Sequence, residues 1–211
     1  MRSIYHYTPR YIKNRFVDMV YQRSYPDHPW LTRQANEILA GYLRQSDVCL
    51  EFGSGRSTLW FAKHVGHITS VENNALWYKK VSTMLNNAGQ QNVSYFHVQM
   101  DKEDREGGDS AYVKTIDKFA TDSVDFVLVD GAYRDYCAQK AIRVIRPGGL
   151  LVIDNVNWYL PSDSGTPSSR TYEQGPNGTI WADVSKTIAG WRSIWTSSGV
   201  SDTAFYIKPY M

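Results

Sequence analysis

Residues 49 to 58, Cys49-Leu50-Glu51-Phe52-Gly53-Ser54-Gly55-Arg56-Ser57-Thr58, constrain this chain more than any other stretch: an apolar strand end runs into an acid, two glycines one residue apart, and a helix start. Gly53 and Gly55 let the backbone turn sharply and approach a ligand with no Cβ in the way. Glu51 places a carboxylate at the carboxyl end of the strand. A dinucleotide site of the G-x-G-x-x-G kind needs its third glycine for close helix packing and offers bare amides to a pyrophosphate. Thr58 stands at that third position. A fixed carboxylate beside the loop repels phosphate and suits a cationic amine. The plain alternative is a glycine-rich turn between strand and helix that holds no ligand.

Around this loop the chain alternates strand and helix signals. Thr32 predicts the cap of a helix carrying Ala35, Ile38, Leu39, Tyr42 and Leu43 at helical spacing, followed by a first strand at 48 to 52. Helices are expected at 57 to 64 and 76 to 85, with a strand at 68 to 71 closing on Glu72 and another at 93 to 98 ending near Asp101. Val124-Asp125-Phe126-Val127-Leu128-Val129-Asp130 reads as a buried fourth strand, followed by a helix through Ala141. Pro147-Gly148-Gly149 turns the chain into a fifth strand at 150 to 153, closed by Asp154-Asn155. This alternation implies a parallel sheet with helices on both faces, whose ligands bind at the carboxyl edge of the strands. Glu51, Glu72, Asp130 and Asp154 all fall at that edge. A loop from Pro161 to Gly178, a short helix near 181 to 189 and a hairpin of 191 to 195 with 203 to 207 complete the reading.

The pattern Glu51-x-Gly53-x-Gly55-x-Ser57 resembles the first motif of the class I S-adenosylmethionine-dependent methyltransferases, whose usual form has glycine where Ser57 stands. S-adenosylmethionine carries an ammonium, a sulfonium and no phosphate, which matches an acidic loop. The resemblance implies an α/β, doubly wound Rossmann-like sheet of about seven strands, mostly parallel with a C-terminal antiparallel hairpin. It implies cofactor contacts from Glu51, Gly53, Ser54, Gly55, Ser57, Thr58, Glu72, Asn73, Asp101 and Asp130. Glu72, nineteen residues past Gly53, is placed to take both ribose hydroxyls through its two oxygens. NAD-binding proteins place an acid similarly, and a surface charge opening the next helix is the simpler reading. Asp101 is expected near the adenine amino group, or as an ordinary charge of its loop.

Asp130, Asp154 and Asn155 resemble the magnesium ligands of the catechol O-methyltransferase-like branch. Hard oxygens suit magnesium, and the bound ion lowers the pKa of a coordinated hydroxyl. The chain departs from that branch where its lysine base would stand, which is Tyr133 here, and Arg134 accepts no proton at ordinary pH. Asp130 and Tyr133 are the catalytic candidates. In the alternative, Asp130 orients substrate or cofactor and Asp154-Asn155 caps a strand and turn. Methyl transfer is an in-line displacement that needs alignment and proton removal, so the absence of a nucleophile-histidine set is no objection.

Residues 1–29 read as an N-terminal aromatic and basic extension, and 30–211 as one methyltransferase domain, a length that buries a substantial core. The basic residues Arg2, Arg10, Lys13, Arg15, Arg23 and Arg33 form no continuous run, and a net charge of +2 calls for neither nucleic acid nor an anionic membrane. A small-molecule acceptor is the expected partner, under the 156 to 180 loop, and the N-terminal aromatics are compatible with a homodimer. With no signal-peptide core and no stretch near the ~18 apolar residues of a membrane span, a cytoplasmic protein is expected. Cys49 and Cys137 read as small core hydrophobes. His64 and His67 read as structural, and His6, His28 and His97 show no metal-ligand spacing. An NAD-type oxidoreductase on a similar sheet and a non-catalytic binding protein retaining the fold are the competing functions.

Overall fold

The computed structural model describes residues 8–210; Arg2 and His6 of the sequence reading lie outside them. Seven strands form one sheet: β1 (Val48–Phe52), β2 (His67–Glu72), β3 (Val93–His97), β4 (Val124–Val129), β5 (Ile145–Asp154), β6 (Arg192–Ser197) and β7 (Asp202–Ile207). Their order is β3-β2-β1-β4-β5-β7-β6, parallel from β3 through β5, with β7 antiparallel to both of its neighbours. The expected α/β sheet with its closing hairpin is therefore present. The reversal of strand order between β1 and β4 makes the crevice at their carboxyl ends the favoured ligand position.

The central strands are mostly apolar, as in Phe126-Val127-Leu128-Val129 of β4 and Leu150-Leu151-Val152-Ile153 of β5, because both faces of the sheet are covered. On one face Cys49, Ile68, Phe126, Leu128, Leu150, Val152 and Phe205 pack against α2 (Arg33–Tyr42) and α3 (Arg56–His64). On the other, Leu50, Phe52, Val127, Val129, Leu151, Ile153 and Tyr206 pack against α5 (Ala111–Lys114), α6 (Arg134–Val144) and α7 (Thr179–Ile188). Alternate residues of one strand thus serve opposite layers. Cys49 and Cys137 are both fully buried and unpaired, as small hydrophobes should be. Helix α4 (Ala75–Asn87) follows β2 and is capped by Asn74, whose side chain accepts from the Trp77 amide at 2.9 Å.

Three features depart from the sequence reading. β5 begins at Ile145, not after the Pro147-Gly148-Gly149 turn, because Ile145 already pairs with Val124 before the register shifts ahead of Phe126. Residues 104 to 118, to which the sequence reading assigned no helix, contain 3-10 turns and α5. Pro9–Ser24 forms a helix, α1, in what was read as a lead-in. α1 half-buries Tyr11, Asn14, Asp18 and Tyr21 and exposes Ile12, Phe16, Met19 and Val20, the reverse of the usual apolar stripe. Tyr21 fastens it through hydrogen bonds to His28 and Asn36. No described helix is long and apolar enough to cross a membrane.

Candidate active site

The glycine loop is shaped by contact with β4. Gly53 has φ +90°, and a Cβ there would lie 2.7 Å from both the Asp130 carbonyl carbon and the Gly131 nitrogen. The Asp130 amide donates to the Phe52 carbonyl at 2.8 Å, so the two strand ends are sewn together where the strand order reverses. Gly55 then precedes α3, and its amide donates to the Thr58 hydroxyl at 3.0 Å. The position that a dinucleotide site gives to its third glycine therefore works as a helix-start clasp.

Glu51 lies wholly buried under this loop. One of its oxygens accepts from the hydroxyls of Thr58 and Ser70, each at 2.6 Å, while Oε1 has no hydrogen-bond partner. Burial pushes its carboxyl up to about 7, against the pull of the hydroxyls around it. A buried carboxylate with an idle oxygen is the pattern expected of a group that waits for a cation. Glu72 is also buried, at the end of β2; its oxygens accept from the Ser54 hydroxyl at 2.8 Å, the Ser54 amide at 3.1 Å and the Asn74 amide at 2.8 Å. A carboxylate offers about four lone-pair positions. One acceptor position is therefore left for a ribose hydroxyl. Ser54 also meets the Tyr95 hydroxyl at 2.6 Å and accepts from the Trp77 indole at 2.6 Å.

The other expected cofactor residues are spread around this centre. Asn73 is half-buried between Glu72 and the cap of α4. Asp101 is exposed and accepts from the Ala111 amide at the start of α5, at 3.2 Å. Tyr133 has φ +47° and gives its hydroxyl hydrogen to the Lys102 carbonyl at 2.5 Å, so its ring, not a free hydroxyl, faces the site. His64 is held by the Trp60 carbonyl and stacks on the Trp60 ring, and His67 bonds Ser94; both do structural work.

The expected magnesium ligands do not fit the ion, because a side chain of the protein already lies among them. Arg134 Nη2 donates to Oδ1 of Asp130 at 2.8 Å and to its carbonyl at 2.9 Å. Nη1 donates to the Asp154 carbonyl at 2.7 Å and to the Asn155 side-chain oxygen at 3.1 Å, and Nε donates to the Gly131 carbonyl at 3.1 Å. Asp154 is turned to Thr203, which donates to its Oδ1 at 2.6 Å, and Asn155 donates to Ser201 at 2.7 Å. Burial and the neighbouring Asp130 charge push the Asp154 carboxyl up to about 7. Among the described residues no group of three or more His, Cys, Asp or Glu side chains is placed to hold a metal.

Beside Arg134 opens a cavity of about 300 Å³, lined by Asp104, Gly131, Tyr133, Arg134, Asp135, Tyr159, Asn177 and Trp181. Tyr159 and Trp181 stack with ring centres 4.9 Å apart, giving the cavity an aromatic wall. Sequence reasoning missed Tyr159, Asn177 and Trp181 as site residues; the available signal was the place of the first two inside the 156 to 180 loop and of Trp181 in the helix that follows it.

No family profile matches this chain, and no curated protein sequence matches it. Solved structures share its fold. A methyltransferase-like protein from Silicibacter pomeroyi superposes with a TM-score of 0.59 at 22% identity, covering 87% of this chain and 91% of that one. A SAM-dependent methyltransferase from Aquifex aeolicus gives 0.52 at 16% identity, covering 93% and 97%. An rRNA methylase from Streptococcus thermophilus gives 0.56 at 11% identity, covering 84% and 95%. The architecture is thus that of S-adenosylmethionine-dependent methyltransferases.

Proposed function

We propose that this protein transfers the methyl group of S-adenosylmethionine to a hydroxyl, phenolic or sugar, of a small molecule. The observation that carries the reading is Glu51, a fully buried carboxylate with an unpartnered oxygen directly beneath the glycine loop. A cationic cofactor supplies the partner that this oxygen lacks, and a pyrophosphate does not. Glu72 at the neighbouring strand end takes the ribose, with Asn73 and Asp101 on the adenine side. Gly53 and Gly55 keep the loop low, and Ser57 and Thr58 begin the helix beneath it.

In the transfer, the acceptor oxygen forms a bond to the methyl carbon as the carbon–sulfur bond breaks and the sulfur keeps the electron pair. The protein must align the three atoms and take the hydroxyl proton. Asp130 borders the cavity through Gly131 and Arg134 and is the acceptor for that proton. The aromatic wall of Tyr159 and Trp181 and the Asn177 amide suit a ring-sized, hydrogen-bonding acceptor. Titration calorimetry with S-adenosylmethionine and S-adenosylhomocysteine tests the cofactor directly; no binding of either at high micromolar concentration overturns the reading. A screen of phenols and sugars with labelled methyl donor then identifies the acceptor.

A further inference from the structure

The cluster at the ends of β4 and β5 is organised around a cation that the protein supplies itself. All five N–H groups of Arg134 are engaged, by the carbonyls of Asp130, Gly131 and Asp154 and by the side-chain oxygens of Asp130 and Asn155. The guanidinium has no donor left for a ligand, so it is not an anion-binding group. Its side chain is only 15% exposed and its head lies 5.8 Å from the Tyr159 ring. Magnesium requires close to six oxygens in octahedral array. To admit it here, Arg134 would have to give up its whole set of bonds and leave a buried position beside a second positive charge.

We propose that Arg134 is the resident cation of this edge, occupying the place of a divalent ion, and that it acts as a positioning residue for Asp130. The grip is one-sided. Arg134 holds Oδ1 of Asp130, and no described residue hydrogen-bonds Oδ2, while the carboxylate remains 31% exposed. Oδ2 is thereby left as the open acceptor at the crevice, in a fixed direction. The Arg134 fork reads both strand ends at once, so it also sets the spacing between Asp130 and Asn155. This assignment rests on the proposed methyl transfer only for the purpose of Oδ2; the cation replacement stands on geometry alone.

The test is a Mn2+ titration followed by electron paramagnetic resonance, on the full chain and on Arg134→Met, with S-adenosylhomocysteine calorimetry run beside it. The wild-type protein is expected to leave the Mn2+ signal that of the free ion into the millimolar range. Stoichiometric Mn2+ binding by the wild type that disappears in Asp130→Asn overturns the proposal. Arg134→Met, where it melts cooperatively, is expected to bind Mn2+ through the released Asp130 and Asn155 oxygens, and Arg134→Lys to exclude it; a folded Arg134→Met that takes up no Mn2+ also overturns it. If Arg134→Met does not fold, the wild-type titration decides. Loss of S-adenosylhomocysteine binding in the wild type would sink the proposed function and leave the Mn2+ result standing.

For positioning, the readout is the split between kcat and KM. Arg134→Lys is expected to lower kcat more than tenfold with the cofactor Kd changed less than threefold. An unchanged kcat overturns that part.

Discussion

Gly53 and Asp130 meet backbone to backbone, with the place of a Gly53 Cβ 2.7 Å from the Asp130 carbonyl carbon. Nothing flexible lies on the other side of that contact, so the loop cannot accept a side chain without parting β1 from β4.

Gly53→Ala is therefore expected to destabilise the fold by about 2 kcal/mol or more, from positive-φ strain and the backbone clash together. Gly89, at φ +65° with nothing within 4 Å, provides the comparison. Gly89→Ala carries only the left-handed strain of roughly 1 kcal/mol. Urea denaturation of both variants checks the difference, and equal losses would show that the contact with Asp130 is immaterial.

Glu51 makes stability depend on pH in a stated direction. Its folded-state carboxyl sits at about 7, above its ordinary value of 4.5, so the native state binds the extra proton between those values. Stability falls as pH rises from about 4.5 to 7 and is lowest above that window. Asp154, also raised to about 7, adds in the same sense. Melting temperatures of the ligand-free protein should drop between pH 5 and pH 8, and Glu51→Gln should flatten part of the slope. The same variant should weaken S-adenosylmethionine binding by tenfold or more, whereas an unchanged affinity would remove Glu51 from the cofactor site.

Binding of a cationic cofactor should draw Glu51 back toward the ionised form. Calorimetry at pH 7 in buffers of different ionisation enthalpy should then record proton release in the wild type and less in Glu51→Gln. Identical enthalpies across buffers would contradict the pairing.

Ser54 ties Glu72 to Tyr95 through one hydroxyl. Ser54→Ala is expected to cost about 1 kcal/mol of stability. It should also loosen the orientation of Glu72, weakening S-adenosylhomocysteine binding by roughly tenfold, about 1.4 kcal/mol. Fluorescence of Trp77, whose indole donates to the Ser54 carbonyl, reports the binding.

The aromatic wall separates fold from acceptor recognition. Trp181 is 2% exposed, so Trp181→Ala should destabilise by about 3–5 kcal/mol. Tyr159→Phe keeps the stack on Trp181 and removes only a hydroxyl. It should change acceptor KM with the S-adenosylhomocysteine affinity unchanged; a shift in the latter alone would place Tyr159 on the cofactor side.

Much of this was legible in the residues. Apolar runs such as Phe126 to Val129 announce strands covered on both faces, and acids at the ends of four of them announce a carboxyl edge with charge to deploy. The glycine spacing and Thr58 identified the kind of loop. Other features left no local trace. α1 turns its polar residues inward because Tyr21 finds His28 and Asn36, partners that no periodicity can name. Asp154 read as a magnesium ligand because its type and place suit one, yet its Oδ1 belongs to Thr203, forty-nine residues later.

What the sequence determined by itself, then, is the order of strands and helices and the set of acids at one edge, since both follow from burial patterns and turn residues within a few positions. Only the tertiary structure decided which partner each acid has. Arg134 reaches Asp130 within its own turn of chain but Asn155 only across the gap between two strand ends. Whether that space holds an ion or a guanidinium depends on distances that exist only once β4 and β5 lie side by side.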